Sequence, residues 1–408
     1  MRTCTCRSPR AWLNSRFRPL RWHRGGRRRS QCTAGAFRWC AIVLVCAVGA
    51  RTAPAEEFEL PAVVQVGQDG VVSAELIYQL AGRPTPQCHA STIVETSAGL
   101  VAAWFGGTEE GHDDVGIWMS RQFDGRWSHP VLIAGGFENE SRDYPCWNPV
   151  LFQPQGGPLM LFYKVGPNPR QWWGVVTTSD DAGMTWSAPR RLGTSPKLFP
   201  ANRNLIGPVK NKPLQLEDAS ILCPGSTENE GWRVHFELSQ DMGKTYEVIG
   251  PLLDGEPLDA IQPSILTHGD GRLQILCRTR QGVLATNWSS DRGRTWGPMR
   301  RTHIPNPNSG TDAVTLDSHI HLLVYNHSHR TASRNGRQVL NVATSPDGEN
   351  WRVVLTLEHE GHPAGYSYPA VIQTRDGLVH ITYTWRRQSI KHVVLDPSRL
   401  PAGKVIPK

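Results

Sequence analysis

A pair of short apolar segments joined by a tight turn recurs six times along the sequence, and this repeat limits the possible folds more than any other feature. The copies begin at Ser91, Asn148, Lys212, Gln262, Asp312 and Tyr368, so successive copies start 50 to 64 residues apart. No long amphipathic helix pattern follows residue 60. Periods of this length, with four strands in each unit, are typical of β-propellers. The sequence therefore predicts an all-β fold: a six-bladed β-propeller of four-stranded antiparallel blades around a central channel.

A second motif, Ser-x-Asp-x-Gly-x-Thr-Trp, recurs in step with the first. Full copies occupy residues 179–186, 239–246 (with Tyr in the last position) and 289–296, and shortened copies occupy residues 124–127 and 345–351. The residue types suit a hairpin turn. The Asp accepts hydrogen bonds from turn amides, the Gly permits a positive φ, the Thr bonds locally and the aromatic ring packs beneath. The motif therefore predicts repeated structural turns.

The net charge of +8 comes from one end of the 408-residue chain. Residues 1–55 contain twelve Arg, no Lys and no acidic residue. Without these twelve, 32 of the 44 basic residues remain against 36 acidic ones, a balance of −4. Because the positive charge is confined to this segment, the composition does not favour a nucleic-acid partner.

The basic segment ends in an apolar run at residues 41–50, followed by the small-residue pattern of Ala53, Pro54 and Ala55. This order is typical of a signal peptide, with cleavage near Ala50 or Ala55. The run has about ten residues where a membrane span needs about 20, so we expect no stable membrane span. The sequence thus predicts a leader at residues 1–55, a single propeller domain at residues 56–408, and a periplasmic or extracellular location. A lipoprotein anchor at Cys46 is disfavoured by the large Val45.

Four cysteines follow the leader: Cys88, Cys146, Cys223 and Cys277. In an exported protein they can form two disulfides with three possible connectivities. Each can equally be a small buried apolar residue on a strand, and the sequence does not choose between these alternatives.

The repeated turns resemble the Asp-box motifs of the sialidase (neuraminidase) superfamily, and the resemblance runs from about residue 85 to the end of the chain. In that family the boxes lie at the outer edge of a propeller. The resemblance therefore implies structural roles for Asp181, Asp241 and Asp291. It also implies a glycosidase site with a Tyr nucleophile and its partner Glu, a loop Asp as acid/base, and three Arg that bind the substrate carboxylate.

Several of these site residues have matching positions here. The sequence Gly111-His112-Asp113-Asp114 makes Asp113 the acid/base candidate and Asp114 its alternative. The competing interpretation is that both aspartates belong, with Glu109 and Glu110, to a solvated acidic loop.

The second Arg of the family matches Arg278, and Arg280 is the alternative. The third matches Arg337, with Arg330 and Arg334 nearby. A planar guanidinium group offers two parallel donors to a carboxylate, which Lys does not.

The nucleophile position falls on Tyr366 or Tyr368 at the start of the last blade. For either residue, a structural role in the core is the competing interpretation.

Two positions depart from the family pattern. The first Arg is replaced by the segment Cys88-His89-Ala90-Ser91, and the Glu that activates the Tyr is replaced by Gln262. Gln does not accept the tyrosine proton, and a tyrosine with a pKa of about 10 is a poor nucleophile at neutral pH. His89 is one candidate for the missing base. Other acids in the sequence that can substitute are Asp259, Glu256 and Glu217.

Three functions remain open. The first is an exported sialidase-like glycoside hydrolase acting on an acidic sugar of glycans, with Arg residues on the carboxylate, Asp113 as acid/base and a Tyr as nucleophile or stabiliser. The second is a uronate-specific polysaccharide lyase, in which His89 or Tyr368 is the base and Gln262 and Arg278 bind the carboxylate. The third is a non-catalytic glycan-binding propeller. The His residues form no ligand motif, so we expect no metal, and no cofactor fingerprint is present.

Overall fold

The computed structural model describes residues 58–139, 142–198, 201–252 and 258–408. The predicted leader and Glu256 lie outside these residues. Within them, six antiparallel sheets follow one another along the chain and form a six-bladed β-propeller, which confirms the predicted fold class.

The strands of each blade are consecutive in the chain, apart from one strand near each end of the described residues. Strand β1 (Val71–Leu76) comes first but belongs to the last blade. Blade 1 consists of β2 (Gln87–Thr96), β3 (Gly99–Gly107), β4 (Gly116–Phe123), β5 (Arg126–Trp127) and β6 (Val131–Ala134). A two-stranded ribbon follows, made of β7 (Phe137–Asn139) and β8 (Arg142–Asp143). Blade 2 consists of β9 (Cys146–Phe152), β10 (Leu159–Val165), β11 (Trp173–Ser179) and β12 (Arg190–Arg191).

The remaining blades repeat this order. Blade 3 consists of β13 (Leu214–Gln215), β14 (Ile221–Thr227), β15 (Arg233–Ser239) and β16 (Glu247–Ile249). Blade 4 consists of β17 (Ala260–Thr267), β18 (Leu273–Thr279), β19 (Val283–Ser289) and β20 (Arg300–Pro305). Blade 5 consists of β21 (Asp312–Thr315), β22 (His321–Tyr325), β23 (Val339–Ser345) and β24 (Arg352–His359). Blade 6 contains β25 (Tyr366–Gln373), β26 (Val379–Trp385) and β27 (Ser389–Leu395).

Both ends of the described chain add strands to the last two blades. β1 pairs with β27 and completes blade 6, and β28 (Lys404–Val405) pairs with β24 at the edge of blade 5. The two described helices are short 3₁₀ turns, Leu80–Gly82 and Pro397–Arg399. No helix among the described residues has the length and hydrophobicity needed to cross a membrane.

The Asp-box turns have the structural role that the resemblance implies. In one box, the Asp181 carboxylate accepts hydrogen bonds from the Thr185 amide at 2.8 Å, the Thr185 hydroxyl at 2.6 Å and the Ser179 hydroxyl at 2.8 Å. These bonds, led by that of the Thr185 hydroxyl, lower the pKa of Asp181 to about 2. Asp241 and Asp291 make the same contacts in their own boxes.

The box aromatics and glycines join neighbouring blades. The Trp296 ring stacks on Phe236 of the preceding blade with a centroid distance of 4.6 Å. Gly293 has a φ of +81°, and a Cβ there would lie 2.6 Å from a methyl carbon of Leu222. Only glycine fits this position, because the turn requires a positive φ and the preceding blade packs against it.

The four cysteines of the propeller are all buried, and all are free thiols. The sequence allowed either disulfides or small buried apolar residues on strands. The structure has the second arrangement, with the cysteines as small apolar residues within the blades. Burial raises the pKa of Cys88 to about 12.

Candidate active site

The first strand of a blade begins with the same backbone irregularity in five of the six blades. Residues with positive φ stand at Ala90, Asn148, Lys210, Gln262 and Tyr368, with values between 38° and 69°. At four of these positions, Ala90, Asn148, Gln262 and Tyr368, the pairing with the second strand also shifts register. Non-glycine residues rarely adopt this conformation, and such strain often accompanies functional sites.

Arg278, at the end of β18, is the centre of a buried polar cluster. Its Nη1 donates to the Gln262 Oε1 at 3.1 Å and to the Tyr368 hydroxyl, and its Nε donates to the Asn308 Oδ1 at 3.0 Å. Its guanidinium also lies over the Trp232 ring, 4.9 Å from the centroid. The structure thus brings together three residues singled out in the sequence: Arg278, Gln262 and Tyr368.

Arg337 approaches the same tyrosine from blade 5. Its guanidinium lies over the Tyr368 ring, 5.4 Å from the centroid, and its Nη2 donates to the Asn308 carbonyl at 3.2 Å. Burial lowers the pKa of Arg337 to about 10. Tyr368 opposes this shift, and the positive charges of Arg278 and Arg387 add to it. Two guanidinium groups from different blades therefore face one tyrosine.

His89 packs against the other side of this cluster. Its ring centroid lies 4.1 Å from that of Tyr368, and its Nδ1 is 2.9 Å from the Thr384 hydroxyl. Burial lowers the pKa of His89 well below its ordinary value, and the positive charges of Arg387, Arg337, Arg278 and Lys210 lower it further. The imidazole is therefore neutral at neutral pH.

Tyr366 lies two residues before Tyr368 but has different neighbours. Its hydroxyl donates to the Glu360 carboxylate at 3.2 Å and accepts a hydrogen bond from the Arg386 Nε at 3.2 Å. Its ring belongs to the apolar core of blades 5 and 6. Of the two candidate tyrosines, only Tyr368 contacts Arg278 and Arg337.

Asp113 lies in the loop between β3 and β4, on the end of the propeller where the first strands begin. Its side chain is exposed. Asp114 is bound within the loop, where it accepts hydrogen bonds from the Thr108 amide and hydroxyl and contacts the His112 ring. Glu110 of the same loop forms an ion pair with Arg387 at 2.8 Å. The structure therefore holds Asp114 in the loop and leaves Asp113 facing solvent.

Arg280 lies outside the cluster, as do Asp259 and Glu217, the two described acids proposed to replace the family Glu. The Arg280 guanidinium stacks on Trp232 at 4.3 Å and lies 3.9 Å from the Asp259 carboxylate. Glu217 is exposed and pairs with Arg292 at 3.5 Å. Asp259 and Glu217 therefore already have basic partners, and neither has a described contact with Tyr368.

Comparison with known proteins places this arrangement in a family. The model of the BNR repeat-like domain matches residues 98–381, which is more than half of the chain. The chain belongs to this family. No curated protein sequence matches this BNR repeat-like protein.

Solved structures similar to this BNR repeat-like protein include sialidases. A protein of unknown function from Dyadobacter fermentans has 18% identity and a TM-score of 0.61, with 80% of this chain and 99% of that chain covered. The Hadza microbial sialidase Hz136 has 16% identity and a TM-score of 0.66, with 80% and 69% covered. The NanB sialidase from Streptococcus pneumoniae has 13% identity and a TM-score of 0.63, with 80% and 71% covered. At these identities the likeness shows a shared fold.

The BNR repeat-like fold also brings to the channel charged residues of the blade starts to which the sequence gave no site role. Lys210 is buried, and its Nζ donates to the Asn211 Oδ1 and the Thr311 carbonyl, each at 2.8 Å. Burial lowers the pKa of Lys210 to about 7, while the charge of Asp312 opposes the shift. Position in the repeat is the sequence signal for both residues, because Lys210 and Asp312 stand at blade starts.

The site is rich in cations. The positive charges of four residues lower the pKa of His89: Arg278, Arg337, Arg387 and Lys210. Glu110 is the one acid with a described contact to any of the three arginines in this set. No group of three or more His, Cys, Asp or Glu within the described ranges is arranged to hold a metal ion. The chemistry that this arrangement supports is binding of an anion beside a tyrosine and a neutral histidine.

Proposed function

We propose that this BNR repeat-like protein is an exported sialidase-like glycoside hydrolase that acts on an acidic sugar of glycans. The observation that carries the proposal is the position of Arg278 and Arg337, which come from two blades and both lie against Tyr368. Planar guanidinium groups bind a carboxylate in a fixed orientation. A sugar held in this way has its ring beside the tyrosine hydroxyl.

In this proposal Tyr368 is the nucleophile or stabiliser and Asp113 is the acid/base. The Tyr368 oxygen attacks the anomeric carbon, the glycosidic C–O bond breaks, and Asp113 gives its proton to the leaving oxygen. The phenol proton passes to a base, for which the neutral His89 beside the ring is the candidate. Water then attacks the anomeric carbon as the bond from that carbon to the Tyr368 oxygen breaks, and Asp113 takes one proton of the water. The Tyr368 oxygen recovers its proton from His89.

The test is mass spectrometry of the products after the purified protein is incubated with sialylated glycans and with uronate-containing polysaccharides. Hydrolysis adds one water across the cleaved bond, and the released sugar identifies the substrate. We expect this product to be absent with Asp113→Ala and present with Arg375→Ala. Arg375 follows β25, whose first residues contribute to the site, and is therefore at the opposite end of that strand.

A uronate-specific lyase is the second candidate, and two observations favour it. Gln262, an amide in place of a carboxylate, is hydrogen-bonded to Arg278, and the neutral His89 lies against Tyr368. In this reaction a base removes the proton beside the carboxylate, the bound cations stabilise the enolate, and the C–O bond to the leaving sugar breaks. The product lacks the added water and carries an unsaturated end, which the same mass spectra distinguish. Binding without cleavage would identify a non-catalytic glycan-binding propeller.

Export is the part of the proposal that rests on the sequence of residues 1–55. Its test is expression of the whole chain in a bacterial host, followed by fractionation and sequencing of the mature N-terminus. We expect a new N-terminus near residue 51 or 56. An uncut chain in the cytoplasm would contradict the proposed export.

A further inference from the structure

We infer that Lys210 is a positioning residue whose ammonium group, together with the Asn211 amide, holds Tyr368 and Gln262 in place around Arg278. The inference rests on the proposed function, because it concerns how the same site is assembled and how it responds to pH. Lys210 is buried at the start of blade 3, and its side chain reaches across the channel to the last two blades.

The Lys210 Nζ donates to oxygens that come from three blades. It bonds to the Asn211 Oδ1 of blade 3 and to the Thr311 carbonyl at the start of blade 5, each at 2.8 Å, and to the Pro369 carbonyl of β25. An ammonium group has three N–H donors, and these three oxygens use all of them. The acceptor set therefore matches the charged form of the lysine.

The bond to Pro369 fixes the main chain directly after Tyr368. Tyr368 has a φ of 54°, and the pairing of β25 with β26 shifts register between Ser367 and Ala370. Pro369 lies inside this shift, so its carbonyl is outside the regular ladder and takes its donor from Lys210. Because the peptide group after Tyr368 is held in this way, the direction of the phenol is held with it.

Asn211 makes the equivalent contact with Gln262. Its Nδ2 donates to the Gln262 carbonyl at 2.8 Å, where Gln262 has a φ of 58° and the pairing of β17 with β18 shifts register. The side chains of Gln262 and Tyr368 meet at the Nη1 of Arg278. Two adjacent residues of blade 3 therefore bind the main chain at both irregular positions that supply partners to this arginine.

Close packing links the lysine side chain to Gln262 as well. A Cβ on Gly310 would lie 2.9 Å from the Lys210 Cε and 3.3 Å from the Gln262 Oε1, so both side chains lie against this glycine. A closely packed interior transmits a displacement to its neighbours. A change in the position of Lys210 is therefore expected to reach Gln262 through packing as well as through Asn211.

Lys210 also makes the site sensitive to pH. Burial lowers its pKa to about 7; the charge of Asp312 opposes this shift, and those of Lys212 and Arg278 add to it. A neutral amine has two N–H donors, so above about pH 7 one of the three oxygens loses its hydrogen bond. The titratable and charged groups around Lys210 come from its own segment and from four other blades: Lys212, Arg278, Asp312, Tyr368 and His89.

The experiment is ¹³C NMR of the protein labelled with tyrosine that carries ¹³C at Cζ, recorded between about pH 5.5 and pH 9, a range in which an unperturbed lysine does not titrate. The Cζ shift reports on the hydrogen bonding of the phenol. The chain has eight tyrosines, and Tyr368→Phe identifies the Tyr368 signal by its loss. The measurement needs no substrate, so it tests the positioning independently of the proposed reaction.

The variants separate the charge of Lys210 from the effect of disturbing a buried lysine. Lys210→Met removes the ammonium group and keeps a long side chain, whereas Lys212→Met keeps Lys210 and removes a positive charge beside it. Lys164→Met is the matched control. Lys164 is also buried, with a pKa lowered to about 7 by burial, but its Nζ donates to the Pro208 and Asn148 carbonyls and not to β25. Thermal unfolding of each variant checks that it is folded.

We expect the Tyr368 signal of the wild type and of Lys164→Met to move with a midpoint near pH 7. In Lys210→Met the midpoint is absent and the signal is displaced at every pH. In Lys212→Met the midpoint moves upward, because a positive charge that lowers the pKa of Lys210 has gone. On the substrate found by mass spectrometry, Lys210→Met lowers turnover about tenfold or more and leaves KM within a few-fold, because the reacting groups are misplaced while the arginines still bind the sugar.

The contradicting results are distinct from a failure of the proposed function. A midpoint near pH 7 that persists in Lys210→Met, or a wild-type Tyr368 signal that is constant over the range, would show that Lys210 does not position Tyr368. The same displacement in Lys164→Met would mean that loss of any buried lysine disturbs the site. If the wild type cleaves no sugar but Lys210→Met displaces the Tyr368 signal, the positioning role stands and the proposed function is wrong. Should Lys210→Met not fold, Lys212→Met decides: an upward midpoint supports the inference and an unchanged one contradicts it.

Discussion

Tyr366 and Tyr368 lie two positions apart on β25, yet their hydroxyl groups bind two different arginines. The Tyr368 hydroxyl accepts a hydrogen bond from Arg278, and the Tyr366 hydroxyl accepts one from Arg386. In a regular strand, residues two apart point to the same side. Here the positive φ of Tyr368 and the register shift that follows Ser367 break this regularity. The two candidate nucleophiles are therefore in separate environments.

The first prediction uses this separation. Tyr368→Phe removes only the hydroxyl that contacts Arg278, and we expect turnover to fall by at least about 100-fold, as when a nucleophile or acid/base group is lost. Tyr366→Phe removes a hydroxyl bound to Glu360 and Arg386, and we expect turnover to stay within a few-fold of the wild type. Initial rates on the substrate found by mass spectrometry check both. A larger loss for Tyr366→Phe than for Tyr368→Phe would assign the nucleophile to Tyr366.

A second prediction concerns Asp113 as the proton donor. Asp113→Asn removes the proton that the leaving oxygen needs, so hydrolysis of a natural glycoside falls by about 10²–10⁴-fold. An aryl glycoside of the same sugar, whose phenol leaves without a proton, loses far less. The comparison of the two substrates separates an acid role from a binding role, because a binding residue would affect both equally. Asp114→Asn acts on the loop itself and serves as the reference.

The third prediction concerns stability against pH and His89. Burial lowers the pKa of His89 well below that of the unfolded chain, which is about 6.5. Below that pH the unfolded chain binds a proton that the folded protein does not. The contribution of His89 to the free energy of unfolding is therefore fully present above about pH 6.5 and is lost progressively as the pH falls below that value.

The corresponding measurement is urea unfolding of the wild type and of His89→Gln at pH 7.5 and pH 5. We expect the wild type to lose more stability than the variant over this interval. His359→Gln, at an exposed strand end, is the control and keeps the wild-type dependence. Equal losses for the wild type and His89→Gln would show that His89 becomes protonated without cost in the folded protein.

The fourth prediction concerns the Asp312 carboxylate, which joins four blades at the centre of the ring. It lies 3.0 Å from the Lys212 Nζ of blade 3, and accepts hydrogen bonds from the Ser264 hydroxyl of blade 4 at 3.1 Å and the Val371 amide of blade 6 at 2.8 Å. Asp312→Ala leaves these groups without their acceptor, and we expect a loss of about 3–5 kcal/mol in the free energy of unfolding.

Urea unfolding followed by tryptophan fluorescence measures this loss. Asp317→Ala, on an exposed turn of the same blade, is the matched control and should change stability by less than about 0.5 kcal/mol. A loss below about 1 kcal/mol for Asp312→Ala would show that water replaces the carboxylate in the channel.

The fold was predictable from the sequence because its signals are local. Each Asp box specifies its own turn through contacts within the eight residues of the motif, as Asp181 and Thr185 show. The six copies of the paired apolar segments give the number of blades. The sequence did not decide whether the cysteines form disulfides or are buried free thiols, because their burial depends on neighbouring blades. Cys277, for example, packs in a cluster that also includes Leu222 of the preceding blade.

Residues of the site could be predicted only where their position along a blade was sufficient to identify them. Arg278 and Gln262 were found because the spacing of their blade matches the pattern of the family that the sequence resembles. The pairing of Glu110 with Arg387 was not predictable, because it requires the last blade to lie beside the first, and no pattern in either segment records that closure. The choice between Tyr366 and Tyr368 also required the backbone, since it depends on the φ of a single residue.

The seam at blade 6, where β1 pairs with β27, has a consequence for how the protein is made. During synthesis, five blades can form in order as they emerge, but the last sheet waits for β25 to β27 before the early strand β1 has a partner. Until then β1 and the edge of blade 1 remain exposed to other chains. A chain without β25 to β27 therefore leaves β1 without its partner strand, and an unpaired strand edge is a template for pairing with other chains.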